Sequence, residues 1–293
     1  MFDLSFPEMA LFILVVIISI AAGTVGVLQL LTQGEKLRRA LFALVSLTIT
    51  LEAVILVFRA IAIKAVPLTG LFESMIVLTI VFGLICLFLS IAIHKVWFAS
   101  VMVWVMLLLV LMSGIVAKPP SQANAAASTP WAIGHAIAMI LSGASAMFAA
   151  ASAVLYLFAE RKLKQKNILH ILGKVPNIEK LERMNLLGLK SCFVLMTFGL
   201  ASGIGLAATS ASLNRTAIDW LTDAKIVLIF IVWLLLGMIL LLWKTVNLRK
   251  KTIAHATLVA FALILFAVVG TSVFCGTGHN FAGRDTQTAE QAK

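Results

Sequence analysis

Residues 226–243 read IVLIFIVWLLLGMILLLW, an unbroken apolar run bounded by Lys225 and Lys244. About 20 such residues, rising about 1.5 Å each as an α-helix, cross a hydrocarbon core of roughly 30 Å. The helix is imposed by the solvent. Lipid offers no partner to a backbone N–H or C=O, so a span must satisfy its own. Runs of the same kind recur along the chain. They predict helices over about Met9–Leu31, Ala40–Ile63, Leu71–Ile93, Val96–Val116, Trp131–Phe158, Leu186–Thr209, Asp223–Trp243 and Thr252–Phe274. The expected fold is an all-α integral membrane protein, a bundle of about eight transmembrane helices. It forms one polytopic domain over residues 1–293, with four spans in 1–130 and a second set in 131–293.

Composition agrees. Of 293 residues, 62% are hydrophobic and 12% charged, and the mean hydropathy is +1.09. Soluble domains hold about half apolar and a quarter charged residues. The net charge of +11 would suggest nucleic acid in a soluble protein. Here it reads as loop charge, and no nucleic-acid partner is expected. Cys86, Cys192 and Cys275 lie far apart, with no C-x-x-C pair and no C-x-x-C-H haem-attachment motif. The first apolar run lacks a basic segment before it and is too long for a cleaved signal, so it is expected to stay as span one.

Loop charge sets an expected orientation. Lys36, Arg38 and Arg39 follow span one, and Lys95 follows span three. Seven basic residues between Arg161 and Arg183 follow span five, and Lys244, Arg249, Lys250 and Lys251 follow span seven. The other side has fewer, among them Arg59, Lys64, Lys118, Arg215 and Lys225. The positive-inside rule then places both termini on the outer, periplasmic side of a bacterial-type inner membrane. His135, His279 and the segment Asp219–Asp223 fall on that outer side. His94, His170 and His255 fall on the cytoplasmic side.

That sorting frames a candidate site. His135 opens span five in Pro130-Trp131-Ala132-Ile133-Gly134-His135, and His279 follows span eight. Haem iron takes two axial imidazoles, and they need not be close in sequence. Trp131, Trp220, Phe274 and Phe281 offer aromatic lining, while Arg215 or Lys225 could pair with propionates. Histidine and tryptophan also favour the membrane interface for reasons unrelated to any ligand, so spacing leaves both readings open.

Longer motifs carry a resemblance. Trp220-Leu221-Thr222-Asp223-Ala224-Lys225 is similar to W-x-W-D-P-K at the first Trp, the Asp and the Lys. Leu155–Lys162 resembles an LLYL..ERRLK stretch, and Pro176–Asn185 resembles P-x-L-E-x-L-x-R-L-N. Gly278-His279-Asn280-Phe281 resembles G-L-H-S-Y, and Pro67–Ser74 resembles P-L-S-N-L-Y-E-S. These motifs, in this order, are similar to the cytochrome c assembly family, which includes CcmC, CcsA and HemX. The last motif points to the eight-span CcsA/HemX-like branch. The resemblance implies a haem-binding assembly factor rather than a stand-alone catalyst. Its cofactor would be haem, of b type and held non-covalently. His135 and His279 would be the axial ligands, with Trp220, Asp223, Trp131, Lys225 and Arg215 shaping the site. It implies partners at the outer face, a second assembly subunit or an apocytochrome. It also implies a cytoplasmic haem-synthesis enzyme at loop 160–183, whose seven basic residues equally suit anionic lipid.

The chain departs from the pattern in the loop 219–225. Thr222 stands for a second Trp and Ala224 for Pro. Glu52 and Trp243 stand at or near positions where the synthase branch has membrane histidines. These changes point towards a HemX-like regulatory or structural subunit as the alternative. A small-molecule transporter rests on Glu52 alone. A mid-span carboxylate is costly in lipid, so Glu52 is expected to meet a donor from another span. Glu73 and Lys190, nearer span ends, are expected to snorkel. Small residues Gly199–Ala207 and Ser142–Ser152 predict close approach of spans five and six.

Overall fold

The computed structural model describes residues 4–32, 35–64, 67, 70–92, 96–118, 129–164, 177–209, 223–246 and 248–271. These form α1 (Phe6–Thr32), α2 (Glu35–Ile63), α3 (Leu71–Ala92), α4 (Val96–Ile115), α5 (Pro130–Lys164), α6 (Ile178–Thr209), α7 (Ala224–Thr245) and α8 (Lys250–Leu265). A π-turn, Phe266–Gly270, continues α8. No strand occurs among the described residues. Seven of these helices are long and apolar enough to cross a membrane, and α4 adds a shorter apolar stretch, Ala99–Ile115. The protein is a multi-pass, lipid-embedded helical bundle.

Two predicted boundaries move furthest, each for a physical reason. Span six begins at Ile178, a full two turns before the predicted Leu186. Asn177 caps it, its side-chain oxygen accepting from the Glu179 N–H at 3.3 Å. The added turns bury Leu181, Met184 and Asn185, and Asn185 accepts from the Thr257 hydroxyl of α8 at 3.0 Å. Charged residues interrupt this stretch, so hydropathy alone reads it as loop. Span five likewise runs on to Lys164, whose ammonium pairs with Glu160 one turn earlier at 2.8 Å. The rest of loop 160–183, residues 165–176, lies outside the described residues.

The core falls into two halves joined at α5. One cluster packs α1–α4 against Met147, Leu155 and Tyr156 of α5. A second packs Ala146 and Ala149 of α5 against α6, α7 and α8. α5 can serve both because its buried positions are mostly Ala and Ser, which let neighbouring backbones approach.

α2 presents Leu41, Val45, Thr48, Glu52, Ile55 and Arg59 as one buried seam at heptad spacing. Arg59 at its end is 0% exposed. It donates through Nε to Glu8 of α1 at 3.1 Å, through one terminal nitrogen to Glu73 of α3, and through the other to the Lys118 carbonyl beyond α4 at 2.7 Å. Its guanidinium also lies 4.4 Å from the centre of the Phe72 ring. Glu8 closes a capping box on α1, its second oxygen accepting from the Ser5 N–H and hydroxyl. Glu73 therefore does not snorkel. It is 5% exposed and locked to Arg59, because a carboxylate beside a buried guanidinium gains more from that partner than from the interface. Arg59, counted above with the loop cations, is likewise interior.

Glu52 also departs from expectation. It is 2% exposed, and its Oε2 has no hydrogen-bond partner among the described residues, where a donor from another span was expected. The only arginine on its seam, Arg59, is committed elsewhere. Lys190 is exposed, and its ammonium rests 4.4 Å over the Trp243 ring.

Candidate functional site

Chain order brings the start of α5, the end of α6, the start of α7 and the π-turn after α8 to one end of the bundle. The Arg59 cluster sits at that same end, since it joins the starts of α1 and α3 to the ends of α2 and α4. α5 starts sharply there. Thr129 is the cap, accepting from the Ala132 N–H at 3.3 Å through its hydroxyl oxygen, and Pro130 occupies the first helical position.

From that start, Trp131, His135 and Met139 recur every four residues and share one face. The face meets the glycines of α6. A methyl group on Gly205 would lie 2.7 Å from the Trp131 ring, one on Gly203 3.1 Å from His135 Nδ1, and one on Gly199 2.6 Å from the Met139 sulfur. At the first a methyl group would displace the Trp131 ring, at the third the flexible Met139 thioether would have to move, and there is little slack at the second. Further down the seam, the Ser142 hydroxyl donates to the Cys192 carbonyl at 3.1 Å and Gly188 abuts Ala149. The predicted approach of spans five and six is thus present along their length.

The seam fixes the imidazole. His135 Nδ1 lies 2.7 Å from the Gly199 carbonyl oxygen. A carbonyl only accepts, so Nδ1 carries the hydrogen and the lone pair sits on Nε2. Backbone orientation of this kind is how metal-binding imidazoles are held in one tautomer. Gly199 also accepts from the Ser202 hydroxyl at 3.0 Å.

Of the other expected residues, Lys225 stands in the first turn of α7, partly buried and close enough for its charge to act on His135. Trp131 is 49% exposed, and its six-membered ring packs against Gly205. Asp223 caps α7, its Oδ1 accepting from the Lys225 N–H at 2.9 Å. The fragment of the tryptophan–aspartate loop described here therefore does helix-capping work. Asp223→Ala should lower stability by about 1 kcal/mol while Asp223→Asn keeps the cap. Thermal melts of the two variants measure this, and equal losses would dismiss the cap. His279, Trp220, Arg215 and Cys275 lie outside the described residues. Met139 and the Gly199 carbonyl are parts of the site that sequence reasoning missed. The spacing Trp131–His135–Met139 was the available signal for the first. The second had none, because a carbonyl belongs to every residue.

Among the described residues no group of three or more His, Cys, Asp or Glu could hold a bare metal ion. What converges is a single oriented imidazole, a cation and an exposed aromatic face. That set suits a planar anionic ligand that brings its own metal.

Residues 68–277 match the family model described as Cytochrome C assembly protein. No curated protein matches the chain.

Proposed function

This chain belongs to the cytochrome c assembly protein family, with a role in cytochrome c biogenesis, and from that premise we propose that it holds haem non-covalently at the His135 end of the bundle. The observation that carries the reading is the 2.7 Å contact from His135 Nδ1 to the Gly199 carbonyl, which leaves the lone pair on Nε2. Bound there, haem would supply the iron that an imidazole can ligate. The residues present fit such a group. His135 would offer an imidazole nitrogen, Trp131 an apolar ring, and Lys225 a counter-charge for a propionate. His279, which follows α8 in sequence, is the proposed second ligand, with Trp220 and Arg215 proposed as further lining.

In this reading the protein is a haem carrier or assembly factor that presents its ligand at one membrane face. A second assembly subunit or an apocytochrome would meet it there. The cytoplasmic inner membrane of a bacterium is the setting proposed. A second reading, a family member that keeps the bundle and binds no haem, is favoured by one observation: the Asp223 carboxylate is engaged in capping α7.

Visible spectra of detergent-purified protein, oxidised and reduced, separate the two. Wild type should show a Soret band and sharp reduced α and β bands. Both should be lost from His135→Ala/His279→Ala and weakened in His135→Ala alone. A wild type that stays colourless after incubation with hemin would leave the second reading.

A further inference from the structure

One carboxyl in the α1–α4 half serves no contact described above. Glu52 is 2% exposed in the middle of α2, between the apolar cluster that holds Val45 and the one that holds Ile55. Ser19 Oγ, Gln29 Oε1 and Glu52 Oε2 are buried side-chain atoms without a hydrogen-bond partner among the described residues. Two of these three fall at one level of the bundle. α1 and α2 run antiparallel with Arg59 on Glu8, so two turns inward Glu52 stands level with Val15. Ser19, also 2% exposed, is one turn further along α1. Helical side chains lean towards their own N-terminus, which on antiparallel helices carries Glu52 and Ser19 towards each other.

The surroundings decide the form of that carboxyl. A carboxylate only accepts, so it needs donors. The Thr48 hydroxyl gives its hydrogen to the Leu44 carbonyl at 3.0 Å, and the Thr79 hydroxyl of α3 gives its own to the Met75 carbonyl at 2.9 Å. The titratable side chains of α1, α3 and α4 are Glu8, Glu73 and Cys86, and none of them brings a positive charge. On α2 itself, Arg59 is engaged by Glu8 and Glu73, while Glu35, Lys36, Arg38 and Arg39 stand more than three turns away at its start. Hydroxyl oxygens still accept, so a hydrogen-bond donor fits at this level and a bare anion does not. We propose that Glu52 and Ser19 form a proton-binding site, with the carboxyl held as the neutral acid and the Ser19 oxygen as its acceptor. The acid has one O–H to donate and the serine oxygen has lone pairs to receive it. The ligand is a proton drawn from water. The site is independent of haem, because neither residue belongs to the half that holds His135.

The infrared difference spectrum between the full wild-type chain and Glu52→Gln, both in detergent at neutral pH, tests it. Wild type should show a carboxylic-acid C=O band that Glu52→Gln lacks, with the carboxylate bands unchanged. Glutamine matches the neutral acid in size and charge, so the variant should fold, and circular dichroism distinguishes a lost band from a lost fold. Isotope labelling of the glutamate carboxyls in wild type should shift the same band with no substitution at all. Ser19→Ala should keep the band and move it to higher frequency, as happens when an acid O–H loses its acceptor. Carboxylate intensity lost from Glu52→Gln, with no acid band in wild type, would overturn the site, since Glu52 would then be an anion. A band unmoved by Ser19→Ala would overturn the pairing with Ser19.

Discussion

Arg59→Met should destabilise the bundle by about 3–5 kcal/mol, the range seen when one partner is removed from a buried ion pair. The reason is the two carboxylates it would leave behind. Glu8 and Glu73 are each 5% exposed, and both direct an oxygen at this one guanidinium. Without it, neither carboxylate keeps a cationic partner among the described residues, and the Lys118 carbonyl loses the Arg59 donor. Four helices meet at this point, so the effect should appear as lost cooperativity at one end of the bundle as well as a lower melting temperature. The triple variant Arg59→Met/Glu8→Gln/Glu73→Gln should recover much of the loss, because it removes the stranded charges along with the arginine. Thermal unfolding in detergent, followed by circular dichroism, reads both. An Arg59→Met protein that melts with wild type would show the cluster to be decorative.

Gly188→Ala should destabilise by about 1–3 kcal/mol although it adds a single methyl group. That methyl would stand 2.8 Å from Ala149 Cβ and 2.9 Å from the Ala149 backbone nitrogen. A flexible side chain could swing away, but a helix backbone moves only by shifting the whole α5–α6 seam. The same seam holds His135 against Gly199, so the displacement should also disturb that contact, and with it the proposed haem site. Ala149→Gly in the Gly188→Ala background should rescue stability only in part, since the backbone contact remains. Gly134→Ala is the control. A methyl there meets nothing within 4 Å, and alanine favours a helix by up to about 1 kcal/mol over glycine, so stability should hold or rise. Equal effects at Gly188 and Gly134 would mean that helix propensity, not close packing, governs the seam.

The sequence by itself determined the solvent, and the solvent determined the fold class. Runs such as 226–243 admit only helices in lipid, and their number and order needed no tertiary knowledge. It also determined the close pairing of α5 and α6, because small residues at helical spacing have few other uses in a membrane. Motif order was enough to expect the assembly family, and residues 68–277 bear that out. His135 stood out for a similar reason, a polar ring at the head of an apolar run.

Only the tertiary structure decided which polar groups meet. Glu8, Arg59 and Glu73 are separated in sequence by 51 and 14 residues, and nothing local announces that they share one point. Glu73 read as an interfacial carboxylate because span-end position is a local property, whereas its partner lies on another helix. The tautomer of His135 was equally illegible, since it depends on a backbone carbonyl that α6 happens to present. Helix α6 began two turns early because Leu181, Met184 and Asn185 find buried contacts that hydropathy does not weigh. Periodicity and composition report what each segment needs from its surroundings. The pairing of one segment's need with another's is a property of the packed chain, because burial and hydrogen bonding are decided between helices and not along them.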